Sequence, residues 1–486
     1  MNESELQDRK DLQKGALINY LGYPLKAAHP VLMVFLVRAY SAEAFGLFIT
    51  AQAVLLVLTR MCVLGLDKAL LWWVPQQAEG ERAHATRACL TWSLGVAAGC
   101  ALLCMLGAEL LADWIDAPEA AASLRIMSFS LVPMVGMELL LGMTMGTRRM
   151  GTSVLVRETI QPLGMVLFGL ALYPLGWGTV GLSVAMVLAY SLGCVVALWS
   201  ARRIFASDKD THEGLRVPEA IWQYAWPLWV AEMASTSLQR MDTWAIAALS
   251  DLRTVGIYGV VVQFSNTIRQ VRRGYDHILL AVTARIFSDG DTSRLTTGYS
   301  YVTSMVLLTQ LPILMFFILF AGDLLPLYGE GFEEGTTAVV ILSAFWVFNG
   351  ATALSGVVIS AYGRSRITLC NALGTVALQG CLLWWFVPRY GLDGAACAVG
   401  LAYALLSVVQ IIQMRMITHG FHYREDVMQA SLVGLLTGGL LMLGLWLVPN
   451  SDELWVRAAL FGGYALLYLP LAWPLARQQK NATQAT

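Results

Sequence analysis

Seven basic side chains fall inside segments apolar enough to span a membrane: Lys26, Arg60, Lys68, Arg240, Arg269, Arg272 and Arg273. An Arg or Lys at mid-bilayer costs about 2.5–3.5 kcal/mol on insertion scales. Repeating that cost in the first, second, seventh and eighth segments calls for a wet, cationic chamber, and such a chamber suits an anion. The carboxylates of the same segments are Asp67, Glu232, Asp242 and Asp276, so the positive groups outnumber them by three. Arg grips a phosphate through its planar fork and Lys acts as a point charge. A pyrophosphate matches that combination in charge and geometry.

Spacing places these groups on helix faces. In the seventh segment Glu232, Ser235, Thr236, Gln239, Arg240 and Thr243 recur at helical intervals and read as one polar stripe. The eighth carries Asn266, Arg269, Gln270, Arg273 and His277, flanked by Arg272 and Asp276. Arg60 and Asp67, seven apart, are expected on one face of the second. Tyr23, Lys26 and His29 share the first, with Pro24 and Pro30 to bend it. Arg60, Arg240 and Arg269 are read as functional cations. Lys68 beside Asp67, Arg272 near Asp276, and Arg125 near a span end fit structural pairing or interfacial roles. Asp67, Glu232, Asp242 and His29 are candidate coupling or charge-balancing groups, and Glu138 and Glu158 with Gln161 fit either a polar core contact or proton coupling. No catalytic residue is assigned. The eight cysteines show neither CxxC nor zinc spacing, and HExxH is absent, so no metal or cofactor is expected.

The elements that must hold these residues are membrane helices. Of 486 residues, 57% are hydrophobic and 13% charged, about half the charge of a soluble chain. Apolar segments lie near 13–38, 46–74, 87–112, 121–147, 152–174, 179–202, 220–249, 255–286, 297–322, 334–361, 366–387, 393–415, 428–448 and 455–475. The expected fold is an all-α polytopic membrane protein of fourteen transmembrane helices. One set of loops holds 20 Lys and Arg, Arg148, Arg149 and Arg157 among them, and the other set holds 4, the remaining eight lying inside spans. The positive-inside rule then puts both termini in the cytoplasm. No loop is long enough for an external folded domain, which weighs against a membrane-bound glycosyltransferase.

The second half echoes the first. LAYSL at 188–192 matches LAYAL at 401–405, each preceded by glycines at the same distances (Gly178 and Gly181; Gly391 and Gly394). Pro174 parallels Pro388, Pro24–Leu25 parallels Pro227–Leu228, and SAEAFGLF at 41–48 parallels SDLRTVGIY at 250–258. Six spans per repeat is an even number, so the halves are related by an axis along the membrane normal. The expected division is an N-terminal six-helix bundle over 1–207, a cytoplasmic linker over 208–219, a pseudo-symmetric C-terminal six-helix bundle over 220–420, and two additional helices with a tail over 421–486. Arg60 and Arg269 hold near-equivalent places, fourteen residues after Gly46 and thirteen after Gly256.

The stretches LVRAYSAEAFGLFITAQAV (36–54), DLLPLYGEGF (323–332), AYGRSRITLCNALG (361–374) and VPRYGLDGAACAVGLAYAL (387–405) carry a family likeness. With the helix plan, the chain resembles the prokaryotic polysaccharide and O-antigen flippases of the multidrug/oligosaccharidyl-lipid/polysaccharide exporter superfamily. The resemblance implies a non-enzymatic flippase of the bacterial inner membrane. Its cargo would be a polyprenyl-pyrophosphate-linked oligosaccharide of a lipopolysaccharide, capsule or exopolysaccharide pathway. Its partners would be that lipid-linked oligosaccharide, membrane lipids, a polymerase and other assembly proteins, with no nucleic acid. It implies a cavity-lining role for Lys26, Arg60, Arg240 and Arg269, with Arg273 added from the same helix as Arg269. Peptidoglycan lipid II transport and multidrug extrusion are the alternative readings. Lipid II also carries pyrophosphate; an extruder of cationic drugs would favour an acidic cavity and twelve spans.

Overall fold

The computed structural model describes residues 32–77, 79–114, 118, 120–147, 150–205, 216–289, 292–352, 354–361, 365–418, 425–448 and 453–484. Among the described residues every regular element is helical, as hydrocarbon demands of a chain whose backbone finds no water there. The chain divides into two compact units, Met1–Gly259 and Val260–Thr486.

In the first unit the helices are 32–40 (α1), Ala42–Val63 (α2), Leu66–Trp73 (α3), Glu79–Leu106 (α4), Ala108–Trp114 (α5), Ala120–Ser128 (α6) and Leu131–Gly146 (α7). Met150–Val154 (α8), a π turn over Leu155–Ile160, Gln161–Leu172 (α9), Thr179–Phe205 (α10), Glu219–Leu238 (α11) and Met241–Leu249 (α12) follow. Leu252–Asp289 (α13) begins in this unit and leaves it after Gly259. α10 packs on α7 and α9, and α3 lies between α7 and α11.

The second unit continues with Thr292–Leu324 (α14), Thr336–Thr352 (α15), Leu354–Ala361 (α16), Ser365–Thr418 (α17), Glu425–Leu447 (α18) and Leu454–Gln484 (α19). α17 bends at Gly391, where φ is 52°; the bend falls where Pro388 and Gly391 marked a turn in the sequence. α14 packs against α15, α18 and α19. The C-terminal pair is fastened to α14 by Phe316, Phe320, Phe461, Tyr464 and Tyr468. The Tyr468 hydroxyl donates to the Leu308 carbonyl at 2.7 Å, and Arg457 pairs with Asp323 at 2.8 Å.

Among the described residues nine helices are long and apolar enough to cross a membrane, or ten with α6 and α7 taken as one span bent by 43°. The segment Arg366–Thr418 in that set holds two of the expected spans, joined at the Gly391 bend. The expected spans near 220–249 and 255–286 coincide with α11–α12 and α13, which are outside the set. Most of the expected first span lies outside the described residues.

Two expectations of continuous helix are corrected. The span near 46–74 is broken at Leu64 and Gly65, both left-handed with φ of 56° and 71°. The polar stripe of the seventh segment is interrupted at Gln239–Arg240, between α11 and α12. Glu232, Ser235 and Thr236 lie on α11, whereas Asp242 and Thr243 are buried in the first turn of α12.

The repeat has a local structural counterpart at two helix starts. The Ser41 hydroxyl accepts from the Ala44 amide (3.4 Å) at the head of α2, and Asp251 Oδ1 accepts from the Thr254 amide (2.7 Å) at the head of α13. Each cap satisfies an amide that has no partner inside the helix. The Thr254 hydroxyl first, then its amide and the Arg253 charge, hold the Asp251 carboxyl below the usual carboxylate range. A carboxyl lowered in the folded state stabilises above its unfolded pKa and loses that contribution as pH falls through the lowered value. Asp251→Ala is expected to cost about 1 kcal/mol in thermal unfolding near neutral pH. The difference from the parent should close as the pH drops below the carboxylate range.

Candidate functional site

The break between α2 and α3 builds the first ionic group. Gly65 takes a left-handed conformation, and a Cβ there would stand 2.5 Å from the Ala225 carbonyl oxygen of α11, so glycine alone fits. The break leaves Arg60 in the last turn of α2 and Asp67 in the first turn of α3. Both charges therefore sit at the helix end whose dipole favours them. Arg60 Nη1 lies 3.5 Å from Asp67 Oδ2 and 3.3 Å from Glu138 Oε2 on α7. The seven-residue spacing placed Arg60 and Asp67 on one face of a continuous helix; the two do meet, but it is a turn in the chain that brings them together.

Glu138 also receives Arg157 Nη2, at 2.7 Å on the same oxygen. Arg157 stands on the π turn, five residues before Pro162. Proline has no amide for the Glu158 carbonyl and its ring crowds that carbonyl, which favours widening the helix there. This placement corrects the assignment of Arg157 to a loop. Its removal from the loop tally leaves the strong bias toward the same side. The next residue after Asp67 is Lys68, whose Nζ lies 4.0 Å from Glu232 Oε1 of α11. The cations Arg60, Arg157 and Lys68 are therefore matched by Asp67, Glu138 and Glu232. The sequence count of an excess omitted Glu138 and Arg157, which meet only through folding.

Other candidates are dispersed. Arg240 is half-buried at the α11–α12 break. Asp242 accepts from the Thr243 amide (2.8 Å) and the Tyr258 hydroxyl (3.0 Å), so it faces α13. Lys26 and His29 lie outside the described residues, as do the side chains of Asp276 and His277. Arg125 pairs with the exposed Glu109.

The second unit has a different cation. The Arg269 guanidinium of α13 lies 4.5 Å from the Trp346 ring centre and 5.5 Å from that of Tyr403. The two rings are 5.1 Å apart, on α15 and α17. Among the described residues no carboxylate comes within salt-bridge distance of Arg269, and its Nε is enclosed without a hydrogen-bond partner. Cation–π contact is worth about 0.5–2 kcal/mol, depending on solvation. It steadies the guanidinium without neutralising it. Gln310 shapes the preceding turn by donating to the Ile268 carbonyl at 2.9 Å. Arg272 is half-buried and Arg273 exposed. Among the described residues no cluster of His, Cys, Asp or Glu has metal-binding geometry.

The chain can thus offer an anion two kinds of contact: an arginine pair already holding carboxylates, and an arginine held by aromatic rings. Sequence spacing pointed to Arg60 and Arg269. It gave Glu138 no assigned role and no sign of the Trp346–Tyr403 cradle; the available signal for Glu138 was a carboxylate in the middle of an apolar span.

Comparison with known proteins bears on both units. The sequence profile described as "polysaccharide biosynthesis protein" matches residues 12–272. No curated protein matches the sequence significantly. Among solved structures, the chain is similar to a lipid II flippase MurJ in an inward closed conformation. That match has a TM-score of 0.76 at 11% identity, over 96% of this chain and 99% of the other. An inward-facing multidrug resistance MATE family transporter of the MOP superfamily gives 0.68 at 15% identity, over 81% and 94%. A MOP superfamily transporter from Pyrococcus furiosus, described as having a binding pocket of reverse polarity, gives 0.62 at 16% identity, over 84% and 96%. At these identities the likeness establishes the fold.

Proposed function

The chain belongs to the polysaccharide biosynthesis protein family, and from that premise we propose that it flips a polyprenyl-pyrophosphate-linked oligosaccharide across the bacterial cytoplasmic membrane. The cargo is a repeat unit of O-antigen, capsule or exopolysaccharide. No covalent bond changes. The protein lowers the barrier to moving a charged head group through hydrocarbon by lining its path with charge and water, in alternating-access fashion. Lys26, Arg60, Arg240, Arg269 and Arg273 are proposed to supply that path, with Asp67, Glu232, Asp242 and His29 balancing or coupling charge. Both termini are placed in the cytoplasm by the loop charges. Polymerase and other assembly proteins are the proposed partners.

The observation that carries this reading is Arg269. A guanidinium stacked on aromatic rings, with no carboxylate among the described residues within salt-bridge distance, is an expensive group to keep among apolar helices. A pyrophosphate oxygen supplies a counter-charge to this guanidinium. A cationic drug would be repelled.

Reconstitution tests the proposal. Proteoliposomes carrying a fluorescent polyprenyl-pyrophosphate oligosaccharide in the inner leaflet should expose it to an external quencher much faster than protein-free vesicles. Fluorescent lipid II and a cationic dye are the comparison cargoes. Faster movement of lipid II than of the oligosaccharide lipid would reassign the chain to peptidoglycan export. Movement of the dye alone would make it a drug extruder.

A further inference from the structure

Glu138 occupies the arginines that an anionic cargo would need. Its Oε2 takes both Arg60 (3.3 Å) and Arg157 (2.7 Å). The side chains of the two arginines are 26% and 36% exposed, whereas Glu138 beneath them is 12% and Asp67 is 7% exposed. The two arginine side chains thus keep part of their surface exposed, whereas the two carboxylates are closed in. Any anion reaching that exposed surface must compete with a carboxylate already in place.

We propose that Glu138 sets a charge threshold at the Arg60–Arg157 pair, so that a diphosphate lipid can engage it and the membrane's own monoanionic phospholipids cannot. The inference rests on the reading of the chain as a pyrophosphate-lipid flippase. A phosphodiester head group brings one negative charge. Exchanging it for Glu138 leaves the arginines no better compensated and obliges a carboxylate to find another partner in a poorly solvated place. A diphosphate brings at least one further charge and more acceptor oxygens, enough to hold both guanidinium forks while Glu138 keeps one of them. Asp67, against the same Nη1 of Arg60, raises the same barrier. A flippase is surrounded by phospholipid in far higher concentration than its cargo, and a bare arginine pair would be occupied by it. Glu138 is thus assigned as a specificity-determining residue.

Equilibrium binding to the full purified chain tests the threshold, with farnesyl pyrophosphate and a short-chain phosphatidylglycerol as probes. The parent should prefer the diphosphate strongly. Glu138→Gln keeps the shape and removes the charge. It should bind phosphatidylglycerol at least about tenfold more tightly, a modest fraction of what close charge pairs contribute, so that the preference contracts. Asp67→Asn should move the ratio the same way and gives a second reading if Glu138→Gln melts early. Glu138→Asp should keep the preference. A ratio unchanged in folded Glu138→Gln or Asp67→Asn protein overturns the threshold and leaves the flippase reading intact. A parent that binds no farnesyl pyrophosphate overturns that reading and the threshold with it.

Discussion

Arg269→Glu should abolish glycan export while the protein still inserts, with a loss of stability the size of the cation–π contact, about 0.5–2 kcal/mol. A charge-assisted hydrogen bond is worth about 1.5–3 kcal/mol, and each 1.4 kcal/mol is tenfold. Arg269→Ala is therefore expected to slow transport of the pyrophosphate lipid by roughly 10- to 100-fold. The reversal to Glu adds repulsion to that loss. Arg269→Lys should fall between, because an ammonium keeps the charge but loses the fork and the stacking on Trp346 and Tyr403. The test is clean at this position because no carboxylate among the described residues is stranded when Arg269 goes. At Arg60 the same change leaves Asp67 and Glu138 with one cation fewer. Breaking a buried pair costs about 3–5 kcal/mol, so an Arg60 variant confounds transport with stability. Surface glycan in cells and flux in proteoliposomes are the two readouts. Export near the parent rate by well-inserted Arg269→Glu protein would remove Arg269 from the anion path.

Long apolar runs made the all-helical membrane fold legible, because hydrocarbon admits few alternatives. The repeat was legible where it rests on short-range chemistry. Ser41 and Asp251 are of different types, yet each caps a helix from the same position, with a glycine following at the same distance. The helix breaks were not legible. Leu64 takes a left-handed φ that nothing in its type announces, and no proline marks Gln239–Arg240. Those breaks decide which charges meet, although adding Arg157 and Glu138 leaves the formal excess of three cations unchanged. Arg157 reads as a loop residue beside Arg148 and Arg149; the packing of α7 against α8, just before the π turn, brings it to Glu138. The aromatic cradle of Arg269 draws on three helices distant in sequence, and Tyr403 was visible beforehand only as a marker of the repeat.

Gly46→Ala and Gly256→Ala should each destabilise the protein severely. The two glycines meet reciprocally. A Cβ on Gly46 would stand 1.7 Å from the Leu252 carbonyl oxygen, and one on Gly256 would stand 2.1 Å from the Ala42 carbonyl oxygen. In each case the obstacle is the backbone of the facing helix, four residues before the facing glycine. Overpacking costs about 1–3 kcal/mol where side chains can yield and more where they cannot, so about 3 kcal/mol or more is expected at each site. One separation of α2 from α13 relieves both clashes, and the double variant should therefore cost clearly less than the sum. Gly99→Ala on α4 is the control, since a Cβ there meets nothing within 4 Å. It should raise stability by about 0.4–1 kcal/mol through loss of backbone freedom in the unfolded chain. Small residues let membrane helices approach where no hydrophobic force draws them together. Here they fix the crossing of the helix that carries Arg60 with the helix that carries Arg269. Thermal melts of the three single variants and the double variant in one detergent measure the effect. If Gly46→Ala melted with the parent, α2 and α13 would not be in backbone contact, and the equivalence of the two repeats at their helix starts would lose its structural basis.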